Sequence, residues 1–278
     1  MRIGGPVFGE VGGPDQWIAS VQRAGYSAAY WPDVTLSSER DEQCYAEAAL
    51  KANVKIAEVH IFNNVLDPDQ DRRREALRYA KERLALADRV GAACTVNLSG
   101  YFGEKPAPHR DHLHEDTFTL IVDTVREILD DVKPERTFYA LELFPWLLPN
   151  SPEAYLRLLD AVDRKAFGVH LDIVNTISTP ELFLNQESYI KHVFKLLGPH
   201  IQSAHIKDIV LTNQLVVHLD VAVPGRGGFD WSTFLTEFGR LDHNAPLLIN
   251  YFLGDEEVYR EGTAYIRKQA ERLGVDIL

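Results

Sequence analysis

Three apolar runs, one strand–helix repeat apart, each end in a side chain that can bind a metal. TFYALE ends in Glu142, GVHLD in Asp172 and SAH in His205. Asp172 follows Glu142 by 30 residues, and His205 follows Asp172 by 33. Between the first two lies SPEAYLRLLDAV, which reads as a helix started by Ser151, Pro152 and Glu153. Strand, helix and strand repeating in this way predict a parallel sheet. If the sheet closes, the strand ends converge on one face, where barrel active sites sit.

The rest of the chain continues the alternation. Strands are expected at 2–8, 26–31, 54–62, 93–98, 138–142, up to Asp172, up to about Lys207, and at 247–252. Helices are expected at 14–24, from Ser38 to about 52, 68–90, 113–132, 152 onward, 180–197, 231–241 and 255–273. Eight such units predict an α/β fold of the (β/α)8 TIM-barrel kind. The 278 residues fit the roughly 250 that such a barrel takes, so one domain is expected over 1–278. Two irregular stretches follow strand ends. One is 99–112, whose Tyr101, Phe102, His109 and His112 suit a lid as well as a plain surface loop; the other is the Gly- and Pro-rich VVHLDVAVPGRGGFDW.

Charge narrows the partners. A net charge of −12 argues against nucleic acid, whose binders carry a basic stripe. No apolar run reaches the roughly 18 residues of a membrane span. The start MRIGGPVF has no signal-peptide pattern, and Cys44 and Cys94 make no disulfide framework. A cytoplasmic protein with reduced thiols is expected.

Side chains alternate along a strand, so His170 shares a face with Asp172, and His205 with Ser203 and Lys207. Carboxylates in a barrel mouth are costly unless partnered. A divalent cation shared by Glu142, Asp172 and His205 would meet that cost, and oxygen with imidazole suits manganese, zinc, cobalt or iron better than calcium. The plainer alternative is polar pairing at strand ends. His60 and Lys207 are candidates for acid–base work beside Glu142, against a hydrogen-bonded histidine and a salt-bridged lysine. Trp31 and Trp146 are candidate stacking surfaces for a sugar ring, with loop anchoring as the alternative; for Phe144 packing is the first expectation.

These pieces, with the EVHIFNNVLDPD stretch and the VPGRGG loop, resemble the sugar phosphate isomerase/epimerase superfamily. Its xylose-isomerase-like barrels include ketose 3-epimerases and inosose dehydratases. The resemblance covers nearly the whole chain. It implies one divalent metal ion (manganese first; zinc, cobalt, iron or magnesium as alternatives) on Glu142, Asp172 and His205. The Arg226 loop resembles the one that helps hold substrate oxygens, and Arg226 is a candidate substrate contact together with Trp31, Trp146 and His170. The resemblance also implies a metal-dependent isomerase or epimerase of a small carbohydrate, working through an enediolate with Glu142 as base, and by analogy a homo-oligomer. The departure is Asn250, which stands where the family's last strand carries a glutamate ligand. An amide oxygen can still bind a metal but takes no proton at neutral pH. That makes a lyase or dehydratase on the same site, or a barrel that only binds a sugar or a partner, the alternatives. An abasic-site endonuclease is not expected, because the acidic chain has too few histidines at strand ends.

Overall fold

Short apolar strands joined by capped helices build the molecule. The computed structural model describes residues 1–9, 12–32, 34, 38–242, 244–250 and 255–278. The strands are β1 (Arg2–Gly4), β2 (Ala28–Tyr30), β3 (Lys55–His60), β4 (Cys94–Asn97), β5 (Phe138–Glu142), β6 (Phe167–Asp172), β7 (Ile201–Ile206), β8 (Asp208–Leu211), β9 (Leu219–Ala222) and β10 (Pro246–Ile249). The helices are α1 (Pro14–Arg23), α2 (Glu39–Lys51), α3 (Gln70–Val90), α4 (Glu115–Val132), α5 (Pro152–Val162), α6 (Pro180–Leu184), α7 (Gln186–Leu197), α8 (Trp231–Phe238) and α9 (Glu256–Leu273).

Eight strands form one sheet in the order β1-β10-β7-β6-β5-β4-β3-β2, and neighbouring strands within it run parallel. Ser27 N–H donates to Ile3 O at 2.9 Å, which brings β2 back to β1. The fold is a TIM barrel with its ring nearly closed. Gly4 permits that approach, since a Cβ there would lie 2.4 Å from Ala28 O. Arg2 braces the opposite, N-terminal rim. Its guanidinium donates to Asn244 Oδ1, Ser27 O, Asn53 O and Asn53 Oδ1, tying together the segments that precede β2, β3 and β10.

Helix starts follow the capping residues. Ser38, Ser151 and Asp230 accept from backbone N–H groups three residues on. In α3 the cap is Asp69, which accepts from Asp71 and Arg72 N–H, so the helix begins at Gln70 rather than at Pro68. The helix expected at 180–197 is two, because Asn185 leaves helical geometry (φ −117°, ψ 35°) and starts α7.

The stretch expected as a Gly- and Pro-rich loop after β7 instead holds a two-stranded antiparallel hairpin, β8 and β9. Its β-branched and aliphatic residues pair, and the PGRGG segment follows it. The last barrel strand is described only as Pro246–Ile249; the part expected at 251–252 lies outside the described residues. Cys44 and Cys94 are both free. Among the described residues, no helix is long and apolar enough to cross a membrane.

The sheet is locked to its helices from behind. The Tyr155 hydroxyl on α5 is buried among apolar side chains, accepts from Leu141 N–H at 2.9 Å and reaches Gly168 O at 2.8 Å. It thus fastens β5 to β6 just below the carboxylates these strands end in. Replacing Tyr155 by Phe removes the hydroxyl's bonds to the backbones of β5 and β6, and the expected loss is about 0.5–1.5 kcal/mol of unfolding free energy in urea titration. A loss too small to measure would remove this lock.

Candidate functional site

The strand ends meet as a buried knot of charge. Glu58, His170, Asp172 and His205 are 0% exposed, Glu142 is 8% and Lys207 6% exposed. Glu142 and Asp172 close β5 and β6, His205 lies near the end of β7, and Lys207 follows it. Glu58 and His60 share a face two residues apart on β3. Asn250 follows β10, its N–H donating to Ile206 O at 3.1 Å.

His205 stands at the centre. Its Nε2 lies 3.1 Å from Glu58 Oε2 and 3.2 Å from the Tyr30 hydroxyl. Its Nδ1 lies 3.0 Å from the Asn250 side-chain amide and 3.6 Å from Glu142 Oε1. One ring thus bridges two carboxylates through opposite nitrogens. Glu58 Oε2 also meets His60 Nε2 at 2.9 Å. Glu58 Oε1 is 3.2 Å from His170 Nδ1, but that nitrogen makes its hydrogen bond with Ser203 Oγ at 2.7 Å. Among the described residues, Glu58 Oε1 and His170 Nε2 are left buried with no hydrogen-bond partner. Asp172 is taken up by an ion pair with Lys207, and its Oδ1 accepts from Asn175 N–H at 3.3 Å. Asn175 also reaches Glu142 Oε1 at 3.4 Å.

The charges shift one another. Burial lowers the proton affinity of His205, but Glu58 and Glu142 outweigh it and push its pKa up to about 10. Burial acts upward on both glutamates and is likewise outweighed, chiefly by His205. Glu58 sits well below its ordinary value and Glu142 below its own. A protonated His205 must donate from Nδ1, which calls for the oxygen of the Asn250 amide on that side; the two amide orientations are isosteric.

The donor set fits a divalent cation. Three buried carboxylates, Glu58, Glu142 and Asp172, face one lysine. With neutral histidines, two negative charges remain, which is what a divalent ion cancels. Two groups have ligand atoms within 4.8 Å of one another, Glu142–His170–His205 and Glu58–His60–His205. Asp172 belongs to neither group among the described residues.

A cavity of about 990 Å³ opens above this knot. His60, Glu142, Lys207, Asn250 and Trp31 all line it. His170 does not: it is sealed behind Glu142 and His205. Arg226 is not brought to the cavity either, because its exposed side chain pairs with Glu261 on α9. Trp146 stacks on His112, with ring centroids 6.3 Å apart, and Phe144, expected to pack, lines the cavity in its place. The 99–112 segment sends Pro106 to the cavity, while Phe102 and His109 pack around His112. Glu58 and Tyr30 escaped the sequence reading. Strand alternation from His60 would have found Glu58; nothing short of the folded barrel would have paired Tyr30 with His205.

Removing one partner of the buried Asp172–Lys207 pair leaves a charge with no counter-ion. Lys207→Met is expected to cost about 3–5 kcal/mol in urea unfolding, and Asp172→Leu added to it should restore most of that loss. An unchanged single variant would mean that the pair does not help hold the ends of β6 and β7 together.

Similarity to known proteins agrees with this fold. The profile of a family described as xylose isomerase-like TIM barrel matches residues 18–269. No curated protein matches the chain. Among solved structures, a D-psicose 3-epimerase from Clostridium cellulolyticum H10, solved with D-tagatose, superposes with a TM-score of 0.72 at 15% identity, covering 98% of this chain and 99% of that one. An L-ribulose 3-epimerase gives 0.71 at 13% identity, covering 98% and 95%. A xylose isomerase-like TIM barrel protein from Mycobacterium smegmatis, in complex with magnesium, gives 0.68 at 15% identity, covering 93% and 89%. At such identities the likeness is one of fold.

Proposed function

The chain belongs to the xylose isomerase-like TIM barrel family, and on that premise we propose that it is a metal-dependent isomerase or epimerase of a small carbohydrate, with Glu142 as the proton-transfer base. One observation carries this reading: Glu142 and Lys207, both otherwise buried, come to the floor of one cavity. A carboxylate held below its ordinary pKa is ionised at neutral pH and ready to accept a proton.

Glu142, His205 through Nδ1, and the amide oxygen of Asn250 would hold the cation, with Asp172 reaching it from its pair with Lys207. Held there, a divalent ion would supply positive charge to offset the charge that develops on an enediolate. Glu142 takes the proton from the hydroxyl-bearing carbon and returns it to the neighbouring carbonyl carbon, which gives the isomer; in an epimerisation Lys207 or His60 returns a proton to the first carbon on its other face. Lys207, fixed by Asp172, donates to an oxygen that gains charge. His60, partly open to the cavity, moves the second proton between oxygens. Trp31 and Phe144 keep water from the reacting carbon.

A second reading has its own support. Asn250 cannot serve as a base, so no second carboxylate faces Glu142 from β10. If a leaving group sits beside the carbanion, Glu142 removes the proton, Lys207 or His60 protonates the departing oxygen, and the outcome is a lyase or dehydratase.

Glu142→Gln is expected to lower turnover of a keto sugar by about 10²–10⁴-fold; turnover that stays intact would take the base role from Glu142. Asn250→Glu, which adds a negative ligand, should tighten manganese binding in calorimetric titration. Activity that survives thorough chelation would leave the reaction without its cation.

A further inference from the structure

The cavity is large and its two ends differ in chemistry. At about 990 Å³ it lies at the top of the roughly 300–1,000 Å³ that hold drug-sized ligands, well beyond the needs of a lone monosaccharide ring. Its polar groups, His60, Glu142, Asn175, Lys207 and Asn250, come from strand ends or the residues just after them. The remaining lining is mostly apolar and aromatic, with Trp17, Trp31, Phe62, Phe144, Val221 and Tyr259 among it.

Two of these apolar residues are left open to water although core positions are plentiful. Phe62 is 42% exposed and Val221 43%. They arise on opposite sides of the ring: Phe62 just past β3, and Val221 on the hairpin that follows β7. β3 and β7 stand four places apart in the eight-strand order, so the two side chains flank the mouth from across the barrel. Phe62 also takes a left-handed backbone, φ 43°. That is an unfavourable conformation for an aromatic residue, and it persists only where the surroundings enforce it. Its ring packs over His60, with centroids 4.8 Å apart, and so borders the polar floor.

We propose that the substrate carries a large apolar body, of aromatic size, joined to the polar keto-polyol end that reaches Glu142 and Lys207. Its chemical class is an aryl glycoside with an oxidised sugar, or a sugar with an equivalent aryl substituent, rather than a free monosaccharide. A free sugar has hydroxyls around its whole edge, and among the described residues of this cavity most of them would face apolar walls. A molecule with its oxygens at one end matches the floor with that end and covers Phe62 and Val221 with the other. This inference rests on the proposed function, since it assumes that a keto-polyol end binds at Glu142.

The test is a calorimetric affinity series on the manganese-loaded protein. The probes are methyl, phenyl and 2-naphthyl 3-keto-β-D-glucopyranosides, with D-fructose and D-psicose as free sugars. Affinity should rise by about tenfold or more from methyl to naphthyl, as burial of further apolar area requires. In Phe62→Ala the naphthyl-to-methyl ratio should fall toward one. A flat series, with the free sugars bound as well as the glycosides, would overturn the apolar-body inference and leave the carbohydrate reading standing. Failure of every probe to bind would overturn both.

Discussion

A buried histidine between two buried glutamates governs this barrel. His205 touches Glu58 through one nitrogen and faces Glu142 through the other. None of these groups could be charged alone at such depth without a large desolvation cost. Together they hold each other ionised, with His205 raised and both glutamates lowered. The arrangement has two ways to reach balance. Without a cation, a proton on His205 offsets part of the negative charge. With a cation, a neutral His205 can turn a bare Nδ1 toward it while its Nε2–H donates to Glu58, a carboxylate–histidine pairing that orients metal-binding imidazoles.

The scaffold exists to keep that balance in place. Arg2 ties the N-terminal rim, Tyr155 fastens β5 to β6, and the Asp172–Lys207 pair joins the end of β6 to the residue after β7. Each link sits between neighbouring strands, so an error in register at any of them would move a charged group out of the knot. The cost of burying charge therefore works as a constraint on register: only the observed alignment gives Glu58, Glu142 and Asp172 their partners.

Much of this is legible in the chain, for a physical reason. Glu142, Asp172 and His205 stand out because each interrupts or ends an apolar run, and buried strands are otherwise continuous apolar runs. The barrel follows from the alternation of such runs with helical periods. What escapes are relations across the ring. Nothing local in EVHIF says that Glu58 will meet a histidine 147 positions away, or that Asp172 will be claimed by Lys207. Trp146 and Arg226 show the opposite failure. A tryptophan after a strand and an arginine in a glycine-rich loop suggest substrate contacts, yet stacking on His112 and pairing with Glu261 draw them elsewhere. The hairpin β8–β9 was hidden because the PGRGG segment after it reads as loop, while the pairing lies in the aliphatic residues before it.

Asn250 is the departure with most consequence, and the charge balance gives it meaning. Asp172 and Lys207 cancel, which leaves Glu58 and Glu142 as the net charge of the knot. That pair already matches a divalent ion; a glutamate at position 250 would add a third negative charge with no further cation among the described residues around the knot. Glu58 thus supplies the second carboxylate, but from β3 and on the far side of the His205 ring. There it is fully buried and absent from the cavity lining. It can hold and orient His205, and it cannot reach a substrate carbon. One carboxylate, Glu142, is then left facing the cavity floor among the described residues. A reaction that needs a proton taken from one face and delivered to the other finds no second carboxylate there among the described residues. A reaction in which one base works beside a lysine and a histidine finds every group it requires.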